Sequence, residues 1–228
     1  MASSRVIDIM TDSPAVAPKP VSTPVRPSRT RLSRAEKAEV TRTRLFEAAI
    51  QIVGEQGYAG ASVALITARA GVAQGTFYNY FESRQDLLDQ LLPAISEQLH
   101  ELIRDRVRAA PDDPIARERA RLCGFFDFLE ESPHLFKILS EGMVQAPVGF
   151  RRHLEMQSES YRRAMEYELR RGNLRISDPR EIDILTQMLL STREYLSGRF
   201  CYVDGQFVRP SELVVETYVK LLTGRIFA

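Results

Sequence analysis

Tryptophan is absent from the 228 residues, and cysteine occurs only twice, at Cys123 and Cys201. Two distant cysteines make neither a CxxC pair nor a disulfide framework, which suits a reducing compartment. Long apolar runs are also missing. None exceeds four residues, as at Val63 to Ile66, far short of the roughly 20 that a bilayer-spanning helix needs. The opening stretch, Met1 to Met10, lacks the basic and then apolar pattern of a secretion signal. A cytoplasmic protein with no membrane contact is expected. His100, His134 and His153 share no metal-ligand spacing. The GxSxG, Walker, GxGxxG and HExxH signatures do not occur. No catalytic residue, metal or cofactor is therefore expected.

Net charge is small, at +1, but unevenly spread. Residues 26–44 hold Arg26, Arg29, Arg31, Arg34, Lys37, Arg42 and Arg44 against Glu36 and Glu39, which leaves +5. Residues 45–92 set Arg69 and Arg84 against Glu47, Glu55, Glu82, Asp86 and Asp89, which leaves −3. A basic stretch beside a neutral-to-acidic globule is either a nucleic-acid arm or a solvated tail. Residues 1–34 carry five of the twelve prolines and few large apolar residues. Such a segment cannot offset the entropy of ordering, so a disordered, Pro-rich basic extension is expected over 1–34.

From about residue 38 onward the periodicity is helical, and the fold class is all-α. Leu45, Ala49, Ile52 and Val53 predict a helix over 38–56 that Gly57 stops. Ser62 is placed to cap a short helix that Gly71 ends, and a third helix is expected from Ala73 or Gln74 to about Tyr80. A long apolar stripe from Ser83 to about Arg108 contains Pro93, where a kink or break is expected. Further helices are expected near 114–131, 133–141, 148–171, 179–200 and 211–225, with 201–209 as a loop. Asp113, Ser132 and Asp178 each precede a proline as capping residues, and Gly142 and Gly172 suit helix ends.

Two short helices about a glycine turn within 62–80 have the layout of a helix-turn-helix. The second presents small or polar residues at its start, so it can enter a major groove without steric block. Gln74 has the donor and acceptor pair that matches adenine, and the methyl of Thr76 suits thymine. Tyr78 and Tyr80 offer hydroxyls to phosphates or base edges. Phe77 and Phe81 are expected in the core, as is Cys123.

The run GVAQGTFYNYFESRQDLL is more specific than a generic helix-turn-helix, with Gly71-Val72, Gly75-Thr76-Phe77-Tyr78, Tyr80-Phe81, Arg84 and Leu87-Leu88 in place. Residues 41–92 resemble the DNA-binding region of tetracycline-repressor (TetR) family transcriptional regulators. The resemblance implies about nine helices: a three-helix DNA-binding domain over 35–84, then an effector-binding and dimerisation domain over 85–228. It implies a homodimer on a palindromic, double-stranded operator and a small-molecule effector pocket in the C-terminal part. By the same resemblance, Ala73, Gln74, Gly75, Thr76 and Tyr78 occupy recognition positions. Thr43, Ser62, Tyr80 and Arg84 occupy positions that commonly touch phosphate. The family often has lysine where this chain has Gln74 and serine where it has Ala73, which puts weight on the basic arm for electrostatic affinity.

Apolar and aromatic residues of the later helices are candidates for the effector pocket: Phe125, Phe128, Met156, Tyr161, Met165 and Met188. Arg193 shares a helix face with Leu189 and Leu196. It is expected either to anchor an anionic ligand or to pair with a carboxylate such as Glu194 or Asp183. The helices near 179–200 and 211–225 are apolar on more than one side, as a dimeric four-helix bundle requires. The resulting expectation is a regulator, most often a repressor in such families, released from DNA by a small, largely apolar effector. The rival readings are a DNA-binding activator or accessory factor without a switch, and an all-helical enzyme.

Overall fold

Ser33 opens the first helix with a capping box: its hydroxyl accepts from the Glu36 amide, and the Glu36 carboxylate accepts from the Ser33 amide. The structure is a computed structural model that describes residues 33–132, 134–203 and 206–227. The expected extension over 1–34 lies almost wholly outside the described residues. Helix α1 (Arg34–Gly60) buries Leu45, Ala49, Ile52 and Val53, as their spacing predicts. It starts four residues before the expected position because its first turns are exposed and carry no apolar period. Gly57, at φ +77°, interrupts it, and one further turn follows.

Helix α2 (Val63–Ala70) is capped by Ser62, which accepts from the Leu65 amide, and closed by Gly71 at φ +69°. Helix α3 (Gln74–Phe77) is shorter than expected, and Tyr78–Tyr80 form a turn instead. Helix α4 (Arg84–Ala109) runs unbroken through Pro93, so of the expected kink or break the break does not occur. Proline 93 deprives the Asp89 carbonyl of its helical donor. A later helix approaches that carbonyl closely at Gly149. A Cβ built on Gly149 would lie 2.2 Å from the Asp89 oxygen, and the Gly149 amide donates to the Asp89 side chain at 3.0 Å. The glycine thus seats against the proline-exposed turn and holds it.

The remaining helices are α5 (Pro114–Glu131), α6 (Leu135–Gln145), α7 (Pro147–Arg170), α8 (Glu181–Phe200) and α9 (Glu212–Leu222). Asp113 caps α5 through the Ala116 amide. Ser132 ends α5 rather than starting α6, and Pro133 lies outside the described residues. Gly142 does not terminate α6. It lies inside the helix, where a Cβ would stand 2.9 Å from Leu92 and 3.3 Å from the Tyr58 hydroxyl. The expected loop over 201–209 contains an antiparallel hairpin, β1 (Tyr202–Val203) and β2 (Gln206–Phe207), with Tyr202 opposite Phe207. Its strands are two residues each, too short to show alternation in sequence.

Helix α4 packs against α5 and α7, α7 against α8, α5 against α9, and α1 against α6. The apolar core is continuous from Leu45 to Phe227 and crosses the expected domain boundary at 84–85. Buried polar groups pin α5, α7 and α9 together. Glu118 accepts from the hydroxyls of Tyr161 and Tyr218 and from Arg121. Glu168, fully buried, takes a two-pronged contact from Arg117 at 2.7 Å on each oxygen and a third bond from Asn173 at 2.8 Å. Burial pushes the thiols of Cys123 and Cys201 up, the latter to about 11, so both are protonated at neutral pH. Among the described residues no helix is long and apolar enough to cross a membrane.

Candidate nucleic-acid interface and ligand cavity

Three aromatic rings fix α3 against the N-terminal helices. Phe77 and Phe81 lie 5.3 Å apart, Phe81 meets Phe46 of α1 edge-on at 5.3 Å, and Arg42 sits over the Phe46 ring. Both Phe77 and Phe81 are buried, as core residues should be. With that face anchored, the opposite face of α3 is turned outward. Ala73, Gln74, Gly75 and Tyr78 are exposed, and Thr76 is half-buried. Ala73 caps the helix without a side-chain hydrogen bond. Among the described residues, the side chains of Gln74, Thr76 and Tyr78 make no protein hydrogen bond, which leaves their polar groups available to a partner.

Thr43 and Ser62 are exposed, and Tyr80 is half-buried. The Ser62 hydroxyl is already committed as a cap acceptor. Arg84 is the exception among the expected phosphate contacts. Its Nε donates to the Ala61 carbonyl at 2.6 Å and a terminal nitrogen donates to the Tyr58 carbonyl. It therefore ties the start of α4 to the end of α1, joining the Ala61 amide as a second donor to the Tyr58 carbonyl.

Two cavities lie between the C-terminal helices. The larger, about 680 Å³, is bordered by α4, α5, α7 and α8, and includes Met156, Tyr161 and Arg193 of the expected pocket residues. The smaller, about 250 Å³, is mostly apolar and is lined by Phe125, Leu129, Leu135, Leu139 and Phe150 together with Arg193. Phe128 and Met165 are buried in the core but border neither cavity, and Met188 is 60% exposed on the surface. Periodicity alone cannot separate these fates, because each helix has more than one apolar face.

Arg193 is common to both cavities. It is 4% exposed, stacks over the Phe125 ring at 4.1 Å, and donates to Gln157 Oε1 at 3.3 Å. The expected partner carboxylates, Glu194 and Asp183, do not pair with it, and no other described carboxylate lies within ion-pair distance. Burial pulls its pKa down, but a guanidinium starts high enough to stay charged at neutral pH. Its Nε and the Gln157 Nε2 are buried and have no hydrogen-bond partner.

The sequence reading missed two histidines near this point. Ser96 donates its hydroxyl to the Leu92 carbonyl at 2.8 Å, so the 2.7 Å contact to His153 Nδ1 requires that nitrogen to carry the proton. Burial, aided by the neighbouring Arg193 and His100, pushes the His153 pKa down to about 4, so the ring is neutral at pH 7. His100 is likewise shifted down by burial. Nothing in their spacing signals this, because it depends on packing against helices 50 residues away. Among the described residues no three His, Cys, Asp or Glu side chains are grouped to hold a metal ion.

Residues 45–91 match the sequence family described as "Bacterial regulatory proteins, tetR family". The regulator BetI of Paraburkholderia phytofirmans is 29% identical over 114 residues, which cover 48% of this chain and 58% of that protein. BetI of Pseudomonas fluorescens is 36% identical over 89 residues, covering 39% and 45% respectively. The chain thus spans about half the length of the relatives it matches. Among solved structures, the regulator FadR from Bacillus subtilis in complex with stearoyl-CoA aligns with a TM-score of 0.65 at 19% identity, covering 80% of this chain and 97% of that one. FadR from Bacillus halodurans aligns with a TM-score of 0.63 at 21% identity over 81% and 95%. At such identity the likeness is one of fold.

Proposed function

We propose that this chain, which belongs to the tetR family of bacterial regulatory proteins through residues 45–91, is a cytoplasmic transcriptional regulator. It binds a palindromic operator as a homodimer, represses from that site, and is released by a small, largely apolar effector. The observation that carries the DNA-binding part is the α3 surface: Gln74, Gly75 and Tyr78 stand exposed on a helix whose other face is locked into the core. Such a helix inserts its leading residues into a major groove. Gln74 and Thr76 read base edges, while Thr43, Tyr80 and the basic residues of 26–44 meet phosphates.

An effector site is supported by the two cavities between the C-terminal helices, whose sizes are near those of ligand pockets. The fold-related FadR of Bacillus subtilis, described with stearoyl-CoA, is consistent with a chain-like ligand here. The proposed dimer uses the exposed apolar side chains of α8 and α9, among them Met188 and Leu221. No catalytic role is assigned to any residue.

The test is a footprint on the DNA upstream of the protein's own gene, with purified full-length protein. A protected inverted repeat of two half-sites is expected. Protection of no specific sequence at any protein concentration overturns the reading.

A further inference from the structure

Arg193 poses an unusual electrostatic problem. A charged side chain that is nine-tenths buried is costly unless paired, and this one has no described carboxylate partner. Two donor groups beside it, its own Nε and the Gln157 Nε2, are also buried and unsatisfied. The nearby His153 cannot serve as a counter-charge, since it is neutral or cationic at every pH. His100 Nε2 on the same wall is buried and open as well, but a neutral imidazole offers no counter-charge, so what the guanidinium lacks is an acceptor that carries negative charge.

The surroundings agree. The larger cavity, on whose wall Arg193 lies, is rimmed by Arg104, Arg108, Arg152 and Arg163, with only Glu155 and Glu159 against them. Glu159 is already engaged by Arg162 and Arg163. Arg104 and Arg152 pair with no described carboxylate. On the other side of Arg193 the smaller cavity is walled by Leu129, Leu135, Leu139 and Phe150. The same residue therefore borders a basic chamber and an apolar one.

We infer that the effector is an amphiphilic anion: its acidic head binds Arg193 and Gln157 in the basic cavity, and its apolar chain occupies the cavity lined by Leu129, Leu135, Leu139 and Phe150. The inference rests on the regulator reading above and names the ligand class for it. Two sources share this chemistry, a free long-chain carboxylate and a chain esterified to a phosphorylated carrier. Arg193 sets the specificity between charged and uncharged chains, because a charge-assisted contact in a desolvated site strengthens only when the ligand carries the opposite charge.

The test is calorimetric titration of the delipidated full-length protein with dodecanoate, dodecanoyl-coenzyme A, dodecanol and dodecyltrimethylammonium. At least one of the two anions is expected to bind about tenfold or more tightly than dodecanol, and the cation not at all. Which anion binds more tightly identifies the source of the head. Arg193→Gln is expected to abolish the preference for the anion while leaving dodecanol binding within about threefold. The Gln variant removes an unpaired buried charge, so its melting temperature should hold or rise. Should it fail to fold, the preference measured in the parent still decides. Equal binding of dodecanoate, dodecanoyl-coenzyme A and dodecanol overturns the inference. So does binding of none of the four, or an undiminished anion preference in Arg193→Gln. Failure of the regulator reading registers separately, as absence of a footprint in protein without added ligand.

Discussion

At Gly75 the fold makes no demand on the residue. No heavy atom lies within 4 Å of where its Cβ would be, and its φ is not positive. A larger residue there should leave stability within about 0.5 kcal/mol of the parent. Groove entry is different, because a side chain at Gly75 would hold the helix away from the bases. Gly75→Leu is expected to keep the parent melting temperature and lose operator affinity by about tenfold or more in a gel-shift titration. Gln74→Ala and Thr76→Ala should each cost about 1–3 kcal/mol of discrimination between operator and scrambled DNA. His153 supports a prediction about pH. Its pKa of about 4 lies below the ordinary 6.5, so between those values the unfolded chain takes up a proton that the folded one refuses. Stability therefore falls as pH drops from 6.5 to 4, by about 3 kcal/mol in all, and this contribution changes no further below 4. Glu168 acts in a lower window: burial raises its pKa, but Arg117 and Asn173 outweigh that and hold it below 4.5, so its contribution fades only under that pH. Urea midpoints at pH 5 and pH 7 should differ less in His153→Gln than in the parent.

Among the elements, α6 has two different duties. Leu135 and Leu139 line the smaller cavity, while Glu141 accepts the Tyr58 amide at 2.9 Å and Lys137 donates to the Glu55 carbonyl at 3.2 Å. A ligand that shifts α6 therefore pulls on the end of α1, and α1 carries α3 through Phe46 and Phe81. The start of α7 is bolted to α4 at Gly149. Gly149→Ala would drive a methyl into the Asp89 backbone, and a destabilisation of about 1–3 kcal/mol is expected by chemical denaturation. Most helices were legible in the sequence because local chemistry sets their limits: Ser62, Ser83 and Asp113 accept amides of the first turn, and Gly71 and Gly172 take positive φ at the ends. The α3 surface was legible for the same reason, as Phe77 and its neighbours lie within one turn. What eluded the sequence depends on distant pairing. Glu118 meets Tyr218 across 100 residues, Ser96 meets His153 across 57, and Gly142 reads as a helix end until Leu92 and Tyr58 are seen against it. Arg84 was legible as important but not as a donor to carbonyls, since Ala61 and Tyr58 lie 23 and 26 residues before it.

For the whole molecule the decisive surface is the outer face of α8 and α9. Met188 is 60% exposed and Leu221 65%, yet both lie on helices whose inner faces are already packed through Leu185, Leu189 and Leu222. An apolar side chain has little reason to sit on such a face in a monomer unless it is isolated. Here Ile184, Tyr195 and Leu213 are exposed as well. A second copy of the chain would bury them and set two α3 helices at a fixed separation. Met188→Glu with Leu221→Glu places charges on that face without touching the core, so the isolated chain should fold with unchanged helix content by circular dichroism. Sedimentation velocity should then show a monomer where the parent is a dimer. Operator affinity should fall with it, because one α3 helix reaches only one half-site. Leu189→Glu is the informative contrast. Leu189 is 3% exposed, so a carboxylate there would enter the core of a single chain and destabilise folding itself. If the double surface variant sediments as the parent does and keeps full operator affinity, the face of α8 and α9 is not the dimer interface, and the two half-sites must be bridged elsewhere.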